Sequence, residues 1–225
     1  MTLISLRDIL FRKFAPYLWK MRILLVGYGD PEQAQILDLL SNMIWDTQVK
    51  MIDAIQLYLT VRATGKIQGD IAEVGVFKGG TAKIICEAKN DKYLHLFDTF
   101  EGLPELSEQD DKQLFQKGGY ACGLDRVKEY LQGYSNILFY KGVFPSTGLS
   151  VKNRHFSFVH LDVDLYQSTK DALNFFYPLM ARGGVIISHD YSHSQGVRNA
   201  FAEFFEDKIE PVTGLSGNQC MIVRC

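Results

Sequence analysis

The sequence predicts an α/β fold in which helices cover both faces of a mostly parallel sheet. From Asp70 onward, short apolar runs of strand length alternate with amphipathic stretches of helix length. The apolar runs are nearly continuous, which is typical of strands buried on both faces. Right-handed crossovers between such strands give a doubly wound, Rossmann-like sheet that binds ligands at the carboxyl ends of its strands.

Seven strands and four helices are predicted in this region. Five strands are expected at residues 71–74, 93–97, 137–140, 156–161 and 185–187, and the helices at 81–89, 124–132, 169–180 and 195–205. Two further strands, 209–213 and 219–223, flank the turn 214–217 and predict a hairpin. The hairpin would place one antiparallel strand in a seven-stranded sheet.

Residues 1–65 are predicted to form an N-terminal helical extension, and residues 66–225 the ligand-binding domain. Apolar residues recur at helical spacing over 43–63. The glycines of 23–31 resemble a nucleotide-binding turn, but no second strand with a terminal acid follows them, so we interpret this segment as a turn between helices. We expect the extension to act as a lid or to form a homodimer.

Composition and charge argue against several classes of protein. The 225 residues are 47% hydrophobic and carry a formal net charge of −2, which does not favour nucleic acid as a partner. Basic residues interrupt the apolar N-terminus, so neither a signal peptide nor a membrane span is expected, and a helix resting on a membrane is the alternative. The four cysteines form no C-x-x-C pair, which favours a reducing, cytoplasmic location.

A glycine-rich turn after the first strand predicts a nucleoside pocket. Gly75 and Gly79 allow a tight turn and a close ligand approach, and the helix that begins near Gly80 offers free N–H groups. Asp98 ends the second strand, where a carboxylate can accept hydrogen bonds from both ribose hydroxyls. Glu73 would repel a pyrophosphate but attract a sulfonium or amino group. This favours S-adenosylmethionine over a dinucleotide, and a dinucleotide-dependent oxidoreductase is the alternative.

Acidic residues and a histidine follow the fourth and fifth strands. Because adjacent parallel strands end at the same edge of a sheet, Asp162, His189 and Asp190 are expected to meet, and they could surround a divalent cation. Carboxylates suit Mg²⁺, and an imidazole widens the choice to Mn²⁺, Fe²⁺ or Zn²⁺. Such a metal would lower the pKa of an acceptor hydroxyl. Asp164 is expected to support the site by bonding the backbone or a helix start.

The long polar loop 101–123 is predicted to be a lid or a binding element. Tyr120 is expected to line an acceptor pocket, whereas residues 108–111 are expected to be a solvated acidic surface.

Taken in order, these motifs resemble the macrocin O-methyltransferase family. The shared features are the glycine loop within 70–81, the D-T-F-E-G-L-P run at 98–104, and the segments 141–145, 162–169 and 189–191. The resemblance covers about residues 43–224. It implies an S-adenosylmethionine-dependent enzyme that transfers a methyl group to a hydroxyl of a sugar or small natural product. It also implies a small hydroxylated acceptor as partner.

The glycine loop and the resemblance together predict the site residues. The expected cofactor-binding residues are Glu73, Gly75, Phe77, Gly79, Gly80, Thr81, Asp98, Thr99, Phe100, Gly142, Val143, Phe144 and Asp162. In the family three acidic ligands hold Mg²⁺, and Asp162 and Asp190 match two of them, while His189 stands at the third position. Asp162 and His189 are the predicted catalytic residues, with Mg²⁺ or Mn²⁺ at the site. In the alternatives, His189 is a metal-free general base, or the chain is a non-catalytic partner subunit.

Overall fold

The computed structural model describes residues 13, 31–41 and 48–225. The chain divides into two compact units, residues 1–38 and 39–225, and the second contains the sheet. The predicted turn at 23–31 and most of the predicted helical extension lie outside the described residues. Helix α1, Pro31–Ser41, begins at a proline, as suits a first helical position. The predicted domain boundary at residue 65 stays a prediction.

Within the described residues, seven strands form one sheet. They are β1 Asp70–Val74, β2 Leu94–Asp98, β3 Ile137–Lys141, β4 Phe156–Leu161, β5 Met180–Ser188, β6 Thr213–Gly214 and β7 Cys220–Val223. The strand order is β3-β2-β1-β4-β5-β7-β6, with β1 to β5 parallel and β7 antiparallel to both of its neighbours. This confirms the predicted sheet. The order reverses between β1 and β4, which is where such sheets bind ligands.

Five helices in the described residues accompany the sheet. They are α2 Met51–Ala63, α3 Gly80–Ala88, α4 Leu124–Tyr130, α5 Tyr166–Phe176 and α6 Gln195–Phe204, with short 3₁₀ turns at Thr64–Lys66, Ser146–Val151 and Tyr177–Leu179. Helix α2 starts later than predicted because Lys50 has an extended backbone (φ −68°, ψ 154°). No helix among residues 31–41 and 48–225 is long and apolar enough to cross a membrane.

Two predicted segments differ from the structure. The predicted strand at 209–213 is wrong, since only Thr213–Gly214 pairs with β7. Pro211 lacks the N–H that a ladder needs, and Ile209 is exposed. The helix predicted at 169–180 ends at Phe176, and β5 already begins at Met180. Pro178 lies in the 3₁₀ turn between them and would break an α-helical hydrogen bond.

Aromatic side chains form a large part of the core that packs against the sheet. Phe97, Phe156, Phe176 and Phe201 are fully buried, and the ring centroids of Phe156 and Phe176 lie 5.0 Å apart. Truncating such a side chain to alanine costs about 3–5 kcal/mol.

Candidate active site

A cleft of about 1250 Å³, partly open to solvent, lies at the carboxyl ends of the central strands. Most of the predicted cofactor residues line it: Gly75, Phe77, Gly80, Thr81, Asp98, Thr99, Gly142, Val143, Phe144 and Asp162. Glu73, Gly79 and Phe100 are not among the lining residues. The cleft therefore joins the glycine loop to the acidic ends of β4 and β5.

The glycine loop packs directly on the end of β4. Gly75 has a φ of 86°, and a Cβ at this position would lie 1.8 Å from the carbonyl oxygen of Asp162. A side chain would therefore separate the loop from the strand. Gly79, also with a φ of 86°, precedes α3, and a Cβ there would meet Val127 on α4 at 3.2 Å. Gly79 thus shapes the loop from the side away from the cleft.

Asp98 clamps two loops as well as lining the cleft. Its Oδ2 accepts hydrogen bonds from the backbone N–H groups of Val76 (2.6 Å) and Phe77 (3.0 Å). Its Oδ1 accepts one from Phe100 N–H at 2.6 Å, which explains the place of Phe100 behind the cleft. The hydroxyl of Thr99 lies 3.4 Å from Oδ1 and donates at a shorter distance, 2.7 Å, to the Gly102 carbonyl. Because a carboxylate accepts about four hydrogen bonds, one place is left for a ligand while Thr99 donates to Gly102. The predicted ribose contact stays a prediction.

Glu73 lies beneath the cleft, fully buried. Its Oε1 is 2.9 Å from Nδ1 of His160, which is equally buried on β4. Burial raises the pKa of Glu73, against the opposing effect of the His160 hydrogen bond. The side chain contacts His160 through Oε1, and its predicted role at the cofactor stays a prediction.

The three residues predicted for the metal site lie together. Nδ1 of His189 is 3.2 Å from Oδ1 of Asp162 and 3.1 Å from Oδ1 of Asp190. One ligand atom of each residue lies within 4.8 Å of the others. The sheet produces this arrangement, because Asp162 N–H donates to the Val74 carbonyl and His189 N–H donates to the Leu161 carbonyl. These bonds continue the β1–β4–β5 ladder to the residues that carry the chemistry.

The charges in this group are strongly coupled. Burial disfavours the charged form of His189, but the Asp162 and Asp190 carboxylates outweigh it and raise the pKa of His189 to about 11. Burial alone would raise the pKa of Asp190. The hydrogen bond and the charge of His189 outweigh burial and lower this pKa to about 2. Binding a cation through Nδ1 of His189 therefore requires that this imidazolium release a proton.

Asp164 contacts Asp190 within the acidic group. Burial, and then the charges of Asp190 and Asp162, raise its pKa well above the ordinary value, and the two side chains share a hydrogen bond. The carbonyl of Asp164 accepts a hydrogen bond at 3.0 Å from Oγ of Ser194, the residue that caps α6. The expected bond of the Asp164 side chain to the backbone or to a helix start stays a prediction. The first N–H of α5, at Tyr166, donates to Oδ1 of Asp110 at 2.7 Å.

The loop 101–123 is anchored rather than freely solvated. Asp110 is buried, and its Oδ2 accepts hydrogen bonds from the N–H and Oγ of Ser107, both at 2.7 Å. The expectation of a solvated acidic surface is wrong for this residue, because the carboxylate caps α5. At the far end of the loop, Tyr120 lines the cleft and packs edge-on against Phe77 with ring centroids 5.7 Å apart.

Backbone strain concentrates around the cleft. Among the described non-glycine residues with positive φ, Phe77, Tyr120, Asp164 and Asp190 all line it. Such conformations cost free energy and persist where the surrounding structure enforces them, commonly at functional sites.

Three residues near the acidic group were not predicted from the sequence. His193 lies 3.3 Å from Asp190 through Nε2, and its place in the turn after β5 was an available signal. Asn218 lines the cleft, and Asp53 on α2 approaches His189 from behind. No sequence pattern indicates which helix or turn packs against the strand ends, so these two were not predictable.

The sequence profile of the family described as Macrocin-O-methyltransferase (TylF) matches residues 41–214. The chain belongs to the macrocin O-methyltransferase family.

The chain is similar in sequence to two O-methyltransferases of Streptomyces species. The chain is 31% identical to the 8-demethyl-8-(2,3-dimethoxy-α-L-rhamnosyl)-tetracenomycin-C 4′-O-methyltransferase of Streptomyces olivaceus, over 64% of this chain and 61% of the relative. It is 24% identical to the demethyldecarbamoylnovobiocin O-methyltransferase of Streptomyces niveus, over 69% of this chain and 65% of the relative. Both matches span less than two thirds of the relative's length.

A solved structure shows the same fold. The O-methyltransferase NovP superposes with a TM-score of 0.70 at 24% sequence identity, covering 80% of this chain and 82% of NovP.

Proposed function

We propose that the chain is an S-adenosylmethionine-dependent O-methyltransferase that acts on a hydroxyl of a sugar or a small natural product. The observation that carries the proposal is the convergence of Asp162, His189 and Asp190 beside the glycine loop, in one cleft. Membership of a methyltransferase family favours this function over a dinucleotide-dependent oxidoreductase. The sugar-methylating name of the tetracenomycin relative supports the acceptor class.

In this proposal the cofactor spans the cleft from the glycine loop to β3. The methionine end lies against the loop at Gly75 and the start of α3, where free N–H groups meet a carboxylate. Asp98 receives the ribose hydroxyls, and Val143 and Phe144 provide apolar surface for the adenine ring. This orientation directs the sulfonium methyl towards Asp162.

The side chains at the ends of β4 and β5 fit a divalent cation. Two carboxylates and an imidazole suit Mn²⁺ as well as Mg²⁺. Asp162, His189 and Asp190 would hold the ion, which supplies a Lewis acid that lowers the pKa of the acceptor hydroxyl. Asp162 takes the hydroxyl proton at its carboxylate. The acceptor oxygen then forms a bond to the methyl carbon as the carbon–sulfur bond breaks and S-adenosylhomocysteine leaves.

In the metal-free alternative, His189 acts as the general base. A general base must be unprotonated before it accepts a proton. The carboxylates of Asp162 and Asp190 raise the pKa of His189 to about 11, which opposes this role just as it opposes metal binding through Nδ1, so the EDTA experiment below distinguishes the two.

An acceptor screen tests the proposal. We would incubate the chain with S-adenosylmethionine and a panel of nucleotide sugars, glycosylated natural products, amines and thiols, and detect products by mass spectrometry. We expect methylation of hydroxyl acceptors, loss of activity with EDTA and recovery with Mg²⁺ or Mn²⁺. Methylation of amines or thiols alone would overturn the acceptor class, and activity indifferent to EDTA would overturn the metal.

Assembly and location are parts of the same proposal. We infer a homodimer in the cytoplasm, with the N-terminal segment as the dimer contact. Light scattering coupled to size exclusion would measure the mass, and a species of 25.6 kDa would contradict the dimer.

A further inference from the structure

Two buried polar atoms face each other behind the acidic site. Oδ2 of Asp53 and Nε2 of His189 are 3.9 Å apart, and neither has a hydrogen-bond partner in the described part of the chain. Buried polar groups are nearly always paired, so a facing acid and imidazole left unpaired call for a reason.

Asp53 is held firmly in this position. It lies in the first turn of α2, its side chain is 1% exposed, and its Oδ1 accepts a hydrogen bond from Asn218 N–H at 3.0 Å. A Cβ at position 217 would lie 1.7 Å from Oδ1, so Gly217 is needed to admit the carboxylate. One carboxylate oxygen is thus fixed on the turn before β7, and the other is directed at His189.

His189 needs an acceptor on that side. Its Nδ1 faces Asp162 and Asp190, on the side of the cleft. If Nδ1 binds a cation, the remaining hydrogen of the neutral ring is on Nε2. If the ring is instead an imidazolium, with its Nδ1–H between the carboxylates, Nε2 is protonated as well. In both states an Nε2–H points at Asp53.

We propose that Asp53 is a positioning residue: it accepts the Nε2–H of His189 and thereby holds Nδ1 towards Asp162 and Asp190. Metal-binding histidines commonly donate their second ring N–H to a carboxylate, which fixes the tautomer and the ring orientation. The separation of 3.9 Å exceeds a direct hydrogen bond, and such bonds in unliganded sites often shorten once the ligands bind. The role of Asp53 rests on the proposed function of the site.

The histidine itself explains why an acid is placed here. The family resemblance implies an aspartate at position 189. An aspartate there would have no ring N–H that needs an acceptor. An imidazole has one, and Asp53 supplies the acceptor from α2, outside the sheet.

The test follows the protons of His189 by nitrogen-15 NMR. The chain has five histidines, and a His189→Gln spectrum assigns the signal. In the wild type, with and without Mg²⁺, we expect a protonated, hydrogen-bonded Nε2. In Asp53→Asn, the amide N–H₂ directed at the ring should abolish that bond and shift the proton towards Nδ1. Asp91→Asn, at an exposed carboxylate before the start of β2 and so at the opposite edge of the sheet, should leave the signal unchanged.

Manganese binding provides the second readout. We expect Asp53→Asn to weaken Mn²⁺ affinity about 10–100-fold, as is typical for such partners. In a His189→Asp background the same substitution should have no such effect, because no Nε2–H is left to accept. An equal loss in both backgrounds, or an unchanged Nε2 signal in a folded Asp53→Asn protein, would overturn the proposal. If the wild type bound no Mn²⁺, the proposed metal site would be overturned. The role of Asp53 would still be tested, because the NMR signal of Nε2 is measured without metal.

Discussion

Replacing Asp98 with asparagine should separate its two roles. The carboxylate accepts hydrogen bonds from the N–H groups of Val76, Phe77 and Phe100, and we assign it the ribose hydroxyls as well. Asparagine keeps one acceptor oxygen and presents an N–H₂ group where the other oxygen was. Either the glycine loop or the loop after β2 must therefore lose its acceptor.

The expected magnitudes follow from these contacts. Each backbone N–H left without an acceptor should lower the free energy of unfolding by about 1–3 kcal/mol. Losing one charge-assisted hydrogen bond to the ribose should cost about 1.5–3 kcal/mol of binding. That cost corresponds to S-adenosylhomocysteine affinity about 10–100-fold weaker.

Calorimetric titration with S-adenosylhomocysteine measures the affinity, and urea unfolding measures the stability. Asp125→Asn, at an exposed carboxylate on α4, is the matched control and should change neither. Lower stability with unchanged affinity would show that Asp98 holds the two loops through their backbone N–H groups and does not bind the ribose. No change in either quantity would refute both.

Three further predictions concern the acidic side of the site. Asp162→Asn should lower the methyl-transfer rate by about 10²–10⁴-fold, because the proton acceptor is lost; initial rates check it, and an unchanged rate contradicts it. Asp110→Asn should lower the free energy of unfolding by about 1–3 kcal/mol or more by leaving Tyr166 N–H without a charged acceptor, and urea unfolding measures it. Since the folded-state pKa of His189, about 11, exceeds its ordinary 6.5, its contribution to stability is complete below pH 6.5 and is lost as the pH rises towards 11. With EDTA present, the free energy of unfolding of the wild type should fall between pH 7 and pH 10, and it should fall less in His189→Gln. An equal fall in the two proteins would contradict the assignment of this pKa to His189.

The sheet and the acidic group could be predicted from the sequence because both depend on local patterns. Continuous apolar runs identify buried parallel strands, and residues that follow adjacent strands must meet at one edge. That reasoning predicts that Asp162, His189 and Asp190 meet, and the three side chains do lie together in the fold.

Residues placed by packing between distant segments could not be predicted. Asp53 reaches His189 because α2 packs beside the turn at Gly217, and Asp110 is buried because its loop folds back onto α5. Glu73 was expected at the cofactor because it precedes the glycine loop. Its side chain pairs with His160 on the neighbouring strand, a contact that strand order and register determine, and its role at the cofactor stays a prediction.

The most direct test of the account is an anomalous-scattering map of crystals grown with Mn²⁺, S-adenosylhomocysteine and a hydroxylated acceptor. We predict one manganese peak among the carboxylates of Asp162 and Asp190 and Nδ1 of His189, with the acceptor and S-adenosylhomocysteine bound in the same cleft. A map with cofactor and acceptor in the cleft but no anomalous peak among these three side chains would contradict it.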